Sequence, residues 1–218
     1  MAHKVGVLLS GCGVYDGAEI HESVITLLAL DRAGAQVVCM APNVPQAHVL
    51  NHMTGEEMGE TRNVLVESAR IARGDIKDLA DVRADDIDAL IIPGGFGAAK
   101  NLSDFAFQGP AGAPNPEVKR LIDEMMEQGK PIGALCIAPA TLTMSAGHKS
   151  PLVTIGTDEA TAGAIGAMGG RHQNCPVEGF VVDEKNRLVT TPAYMLGPGI
   201  KDVAAGIEKT VAQVLSMI

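Results

Sequence analysis

Short runs of consecutive apolar residues punctuate this chain, separated by longer stretches in which apolar positions recur at helical spacing. The runs Lys4–Leu9 (KVGVLL), Gln36–Ala41 (QVVCMA), Ala89–Ile92 (ALII) and Pro131–Leu135 (PIGAL) lack the polar alternation of a half-exposed strand. They predict strands buried on both faces, as in a parallel sheet covered by helices. Between them the spacing predicts a helix from Ile20 to Ala33, stopped by Gly34, and another from Pro116 to Gly129. The second has Asn115 as its cap and Val118, Leu121, Ile122, Met125 and Met126 on its apolar side. Further helices are expected over Glu60–Arg73 with Thr61 as cap, Asp158–Met168 and Ile200–Met217. Leu152–Ile155 reads as a strand, and Pro176–Asp183 with Arg187–Thr191 as an antiparallel pair around Asp183-Glu184-Lys185-Asn186. The least patterned part is Asn43–Asp88, where Pro42 and Pro45 break the preceding strand and His48–Gly55 suggests a short edge strand and turn. Alternation of this kind predicts an α/β fold: a three-layer α/β/α sandwich with a mostly parallel sheet, flavodoxin-like, in one domain spanning residues 1–218.

Composition narrows the class. At 218 residues the chain is long enough for a full core, and 46% hydrophobic content suits a globular protein. Aromatics are only 3%, Trp is absent and ten Met are present, so the core is expected to be aliphatic. A net charge of −9 without a basic cluster argues against nucleic acid and anionic membrane as partners. No apolar run approaches the roughly 18 residues of a membrane span, and the N-terminus enters a strand at once, so a cytoplasmic protein is expected. Cys12, Cys39, Cys136 and Cys175 are then expected to be reduced. No CxxC pair or zinc-type spacing occurs, and no metal site is expected. Gly11, Gly13 and Gly17 follow the first strand, but the third glycine comes late for GxGxxG. The second strand also ends in Met40-Ala41-Pro42 rather than an acid for a ribose, so no nucleotide cofactor is expected. His48 and His52 stand at i, i+4, yet Asn51, Thr54 and Gly55 argue against a helix there, leaving them as surface residues.

Chemistry concentrates around Cys136. The Pro131–Leu135 run gives way to helical spacing through Ile137, Ala140, Thr141 and Met144 until Gly147, so Cys136 sits on a sharp strand-to-helix turn. Small Ala134 and Ala138 would let backbones crowd together there. This is the pattern of a nucleophile elbow with Cys in place of Ser. A helix N-terminus under the sulfur is expected to lower the thiol pKa. The competing reading is a buried, inert cysteine. After Ala89–Ile92, Pro93-Gly94-Gly95 would expose backbone N–H groups at a strand's carboxyl end, where open α/β sheets bind ligands. Gly95 N–H with Ile137 N–H would form an oxyanion hole, while a tight turn needing positive φ is the alternative. None of the histidines at 3, 21, 48, 52, 148 and 172 neighbours Cys136 in sequence. Glu19 and Glu22 fall in the first turn of the first helix, where a carboxylate also simply favours the helix dipole.

Three segments resemble the class I glutamine amidotransferase-like superfamily, on the branch of the parkinsonism-associated deglycase and the Pfp-type intracellular proteases. They are AEIHESVI (18–25), Pro93-Gly94-Gly95 with Lys100-Asn101-Leu102-Ser103, and ALCIAP (134–139). The blocks SGCGVYDG, EIHE, TGE, ETRNVL, PGGFGAAKNLS, CIAPA, TIGTD and VTTPAYM resemble more closely the ElbB-like glyoxalases associated with isoprenoid biosynthesis. That resemblance implies Cys136 as nucleophile, Glu22 as a protonated carboxylic acid beside its thiolate, and an oxyanion hole at Gly95 and Ile137. It also implies a substrate pocket at Cys12, Asn101, Tyr194 and His21, glyoxal as the partner molecule, glycolate as the product, no cofactor, and a homodimer. One departure matters: the protease-type and amidotransferase members carry a catalytic His, and here Ile137 follows the cysteine. Amidotransferase and peptidase readings lose their usual base, unless His21 or His172 folds back. A redox-sensing or interaction protein with an oxidisable Cys136 is the reading from a different class.

Overall fold

The structure, a computed structural model, describes residues 2–218. In chain order its elements are β1 (Lys4–Leu8), α1 (Ile20–Arg32), β2 (Gln36–Ala41), α2 (Val64–Ile71), β3 (Lys77–Asp78) and β4 (Ala89–Ile92). There follow α3 (Phe96–Lys100), α4 (Phe105–Gln108), α5 (Pro116–Glu127), β5 (Ile132–Leu135), α6 (Ala138–Ala146) and β6 (Leu152–Val153). The last are α7 (Glu159–Ala167), β7 (Arg171–His172), β8 (Val181–Asp183), β9 (Leu188–Thr191) and α8 (Ile200–Ser216).

Seven strands form one sheet in the order β3-β2-β1-β4-β5-β9-β8, parallel except for β8 on the far edge. The unbroken apolar runs are explained by helices on both faces. Val5 and Val7 of β1, Ala89 and Ile91 of β4 and Leu135 of β5 pack with Ile25 and Leu30 of α1 and Val203, Ile207 and Val211 of α8. The alternate residues Leu8, Leu90, Ile92, Ile132 and Ala134 face Val118, Leu121, Ile122 and Met125 of α5 and Leu142 of α6. Period-two alternation therefore persists, but both of its phases are apolar. The result is the three-layer α/β/α sandwich that the pattern predicts, with a flavodoxin-like run of parallel strands.

Chain direction then fixes where ligands enter. From β1 the chain runs outward to β2 and β3, and returns to place β4 on the other side of β1. Loops leaving the carboxyl ends of β1 and β4 thus part in opposite directions, opening the crevice typical of a topological switch point.

Several expected elements are displaced. The helix expected over Glu60–Arg73 starts only at Val64, because Asn63 rather than Thr61 caps it by accepting from Val66 N–H at 3.1 Å. His48–Gly55 contributes a single isolated bridge, Leu50 opposite Glu57, rather than a strand. The run Leu152–Ile155 forms only β6, which pairs with β7 in a separate two-stranded sheet. The strand expected from Pro176 begins at Val181.

Candidate active site

Cys136 lies between β5 and α6 with φ 59°, in the left-handed region that residues bearing a side chain rarely adopt. The turn is held by its own N–H, which donates to Thr191 O on β9 at 3.0 Å. On the neighbouring strand, β4 ends in Pro93, Gly94 and Gly95. A Cβ at position 94 would sit 2.8 Å from Glu22 Oε2 and closer still to Cys136 Cβ, so only glycine lets the three segments meet. Gly95 turns back at φ 90°, which aims its N–H at the sulfur. The Ile137 N–H does the same from the first turn beyond the elbow, and both favour the anionic form of the thiol.

Glu22 projects from the first turn of α1, a helix that Glu19 caps by accepting from Glu22 N–H at 2.7 Å. Its carboxylate is fully buried. Oε2 accepts from Gly94 N–H at 2.8 Å and Oε1 from Tyr194 N–H at 3.2 Å, and the neighbouring Cys136 thiol also favours the charged carboxylate. Burial pushes the Glu22 carboxyl up to about 7, against those backbone donors and with help from the charge of Glu19. Burial, and then the negative charge of Glu22, also hold the Cys136 thiol well above its ordinary value. The expectation of a depressed thiol pKa is therefore reversed. Two N–H donors and a helix terminus do not outweigh desolvation plus a neighbouring carboxylate.

A cavity of about 360 Å³ opens over Cys136. Its walls are mainly Val14, Phe96, Phe105, Ala106, Ile137 and Met195, with Tyr194 and Thr161 as the polar side chains. Of the residues expected in the pocket, Tyr194 lines the cavity; His21 lies outside its lining and is exposed, with its Nδ1 hydrogen-bonded to the Tyr194 hydroxyl at 2.7 Å. Two other residues expected in the pocket do not line it either. Asn101 is buried as a bracket: its Nδ2 donates to Ser10 O and Asp16 O, and its Oδ1 accepts from Ala47 N–H. Cys12 faces Glu67 and Arg70 on the α2 side of its loop, and lies outside the lining of the cavity. His172 does not fold back either; its Nε2 accepts from Ile155 N–H at 3.2 Å within the small sheet, and partial burial lowers its pKa. Among the described residues no histidine is hydrogen-bonded to Cys136.

The profile of the DJ-1/PfpI family matches residues 12–191, a span that includes Glu22, the glycine turn, the elbow and β9. The chain belongs to the DJ-1/PfpI family. Within the glutamine amidotransferase-like class 1 group, it is 47% identical to the human glutamine amidotransferase-like class 1 domain-containing protein 3, mitochondrial. That match covers 99% of this chain and 84% of that protein. It is 46% identical to the rat ES1 protein homolog, mitochondrial, over 98% of this chain and 84% of the relative. Among solved structures, an isoprenoid biosynthesis protein with an amidotransferase-like domain from Ehrlichia chaffeensis superposes with a TM-score of 0.93. It is 40% identical, with 99% of each chain covered. No described helix of this DJ-1/PfpI chain is long and apolar enough to cross a membrane.

Sequence reasoning missed Val14, Phe96, Phe105, Ala106 and Met195, since wall residues carry no reactive group. A usable signal existed in the scarcity of aromatics: with only four Phe and two Tyr in the chain, Phe96 inside PGGFG is out of place for a mere turn.

Proposed function

We propose that this protein is a cofactor-independent, ElbB-like glyoxalase that converts glyoxal and water to glycolate through a hemithioacetal on Cys136. The observation that carries this reading is the buried Cys136–Glu22 pair, with Gly95 and Ile137 N–H groups at the sulfur and a cavity above it. A thiol beside a carboxyl of pKa about 7 has a base poised at working pH.

Glu22 takes the thiol proton as sulfur adds to one aldehyde carbon, and the resulting alkoxide lies at the Gly95 and Ile137 N–H groups before it is protonated. The hydrogen on that carbon then leaves as a proton to Glu22 and returns to the neighbouring carbon. One carbon is oxidised to a thioester while the other is reduced to the alcohol, so no external oxidant is needed. Water cleaves the sulfur–carbon bond, releasing glycolate and restoring the thiol. Family membership supports chemistry at this cysteine. Cys136 is only 8% exposed, and because oxidation follows exposure as well as thiolate character, this weighs against the redox-sensor reading. Amidotransferase and peptidase readings have no histidine at the sulfur among the described residues.

The test is to follow glycolate formation from glyoxal by proton NMR with the purified protein and Cys136→Ala side by side. Turnover only with the intact thiol supports the reading, and equal turnover in both ends it. We further infer a homodimer, with the exposed stripe Ile20, Val24 and Leu28 on α1 as the surface a second copy would cover. Four free cysteines suit a reducing compartment, as in the cytoplasmic placement expected from the sequence. The names of the human and rat relatives assign those proteins to mitochondria.

A further inference from the structure

Among the described residues, five other than glycine carry a positive φ: Arg73, Cys136, Ser150, Arg187 and Ala193. Arg73 and Ser150 are exposed where helical turns end, and Arg187 is half-buried in the turn between β8 and β9. A left-handed residue is ordinary in such places. Cys136 and Ala193 are the two that are buried, and Cys136 is the elbow already described. Ala193, at φ 44°, lies two residues beyond the end of β9 and is fully buried. Its methyl side chain offers none of the local hydrogen bonding that lets Asn or Asp visit this region. A conformation of this kind persists only where the surroundings over-determine it. Here they do. Ala193 O accepts from Leu196 N–H at 3.2 Å and from Gly197 N–H at 3.0 Å, and its methyl belongs to the apolar cluster of Val203 and Ile207.

What this segment holds gives the strain a use. Thr191 O accepts from Cys136 N–H at 3.0 Å, and Tyr194 N–H donates to Glu22 Oε1 at 3.2 Å. Between them Pro192 has φ −64°, fixed by its ring. The planar Ala193–Tyr194 peptide carries the donated N–H, so the two dihedrals of Ala193 set its direction. A right-handed or extended Ala193 would turn that N–H away and leave Glu22 Oε1 buried without this donor. We propose that Ala193 is a positioning residue for the Cys136–Glu22 pair, its buried left-handed backbone aiming the Tyr194 N–H at Glu22 Oε1. Thr191–Tyr194 is then a clamp with one jaw on the elbow and the other on the acid. Ala193 touches no substrate and acts through Tyr194 alone, whatever molecule the cysteine takes. Burial is the strongest influence on the Glu22 carboxyl and raises it; the Tyr194 N–H comes next and pulls it down, ahead of the Gly94 N–H. Loss of the aimed donor therefore sends the carboxyl higher still.

The experiment reads the Glu22 carboxyl directly. The carbonyl stretch of its protonated form is followed by infrared spectroscopy against pH and assigned by its loss in Glu22→Gln. Ala193→Gly keeps the left-handed region open, whereas Ala193→Val closes it, because a β-branched residue is a true outlier there. The titration midpoint is expected to stay at the wild-type value in Ala193→Gly. In Ala193→Val it should rise by roughly one to two pH units, the worth of one hydrogen bond to a charged group. A merely structural alanine would lower the melting temperature of both variants and move the midpoint in neither. Where Ala193→Val does not fold, the donor alone is removed: the α-hydroxy analogue of tyrosine at position 194 replaces the N–H by an ester oxygen and leaves every side chain in place. The ester chain should show the same rise. An unmoved midpoint in the ester chain, or in a folded Ala193→Val, overturns the inference. A rise in Ala193→Gly equal to that in the ester chain overturns it as well, since the left-handed backbone would then not be what aims the donor. None of these readings needs turnover, so a chain that titrates as expected and consumes no glyoxal overturns the glyoxalase reading alone.

Discussion

Glu22 carries one proton question that sets both stability and chemistry. Its carboxyl is raised from an ordinary 4.5 to about 7 in the folded chain. Between those values the folded state binds more protons than the unfolded one. Stability should therefore fall as pH rises from about 4.5 to about 7 and level off above, by on the order of 3 kcal/mol. Urea unfolding at pH 5, 6, 7 and 8 should show this slope, and Glu22→Gln should flatten it; a slope that survives the substitution would assign it to another group. Turnover should run the other way, rising through about pH 7 as the carboxylate forms. In Glu22→Gln it should fall roughly a hundredfold or more at all pH values, since an amide exchanges no proton. Tyr194→Phe separates two contributions of one residue. It keeps the backbone N–H that Glu22 Oε1 accepts and removes the hydroxyl bonded to His21. Turnover should drop only about fivefold, the worth of one ordinary hydrogen bond, with the midpoint near pH 7 unmoved. At this scale patterning placed Cys136, Gly95 and Ile137 at a strand end or helix start, whereas only the family resemblance told Glu22 from Glu19 in the first turn of α1. The thiol pKa was misjudged, since desolvation depends on what closes over the sulfur and no local motif records that. Cys12, in the loop after β1, and Asn101, which caps the C-terminus of α3, were misplaced because such residues face either way until the packing of α2 and the 43–57 segment decides.

Between elements, the approach of α1, β4 and β5 at Gly94 is the tightest constraint on the site. Gly94→Ala should cost about 1–3 kcal/mol, as overpacking does, and should separate Glu22 from Cys136 even where the fold survives. Thermal unfolding with the pH–rate profile checks this: a stable variant retaining the rise through pH 7 would show that the contact tolerates a methyl group. The buried strands could be read because both phases of each run are apolar. Partners could not, because a short apolar run such as Leu152–Ile155 carries no mark of which sheet it joins; β6 pairs with β7 instead of entering the main sheet. The start of α2 was displaced because two polar residues competed to cap it, and Asn63, held also by the bridge to Pro45, prevailed. The two-residue β3 lies below any periodic signal.

For the whole molecule, α1 meets α8 on its inner side and leaves Ile20, Val24 and Leu28 outward at helical spacing. If a second copy covers that stripe, Val24→Glu should shift the protein from dimer to monomer in sedimentation velocity at micromolar concentration, with far-ultraviolet circular dichroism unchanged. A monomeric wild type would remove the inference. The alternation of elements made the layers readable, whereas the strand order rests on where each crossover lands. That order has a kinetic consequence. β1 sits mid-sheet and pairs with β4, more than eighty residues downstream (Val5 with Ala89), and β9 closes on β5 from still later in the chain. Such non-local pairings make folding slow. The Cys136 N–H waits for Thr191, and Glu22 waits for both Gly94 and Tyr194, so the site has no precursor in any early fragment. A nascent chain released before β9 would carry a solvated, fully reactive thiol. Stopped-flow refolding should then show protection of Cys136 from a thiol reagent appearing in the same slow phase as the whole fold.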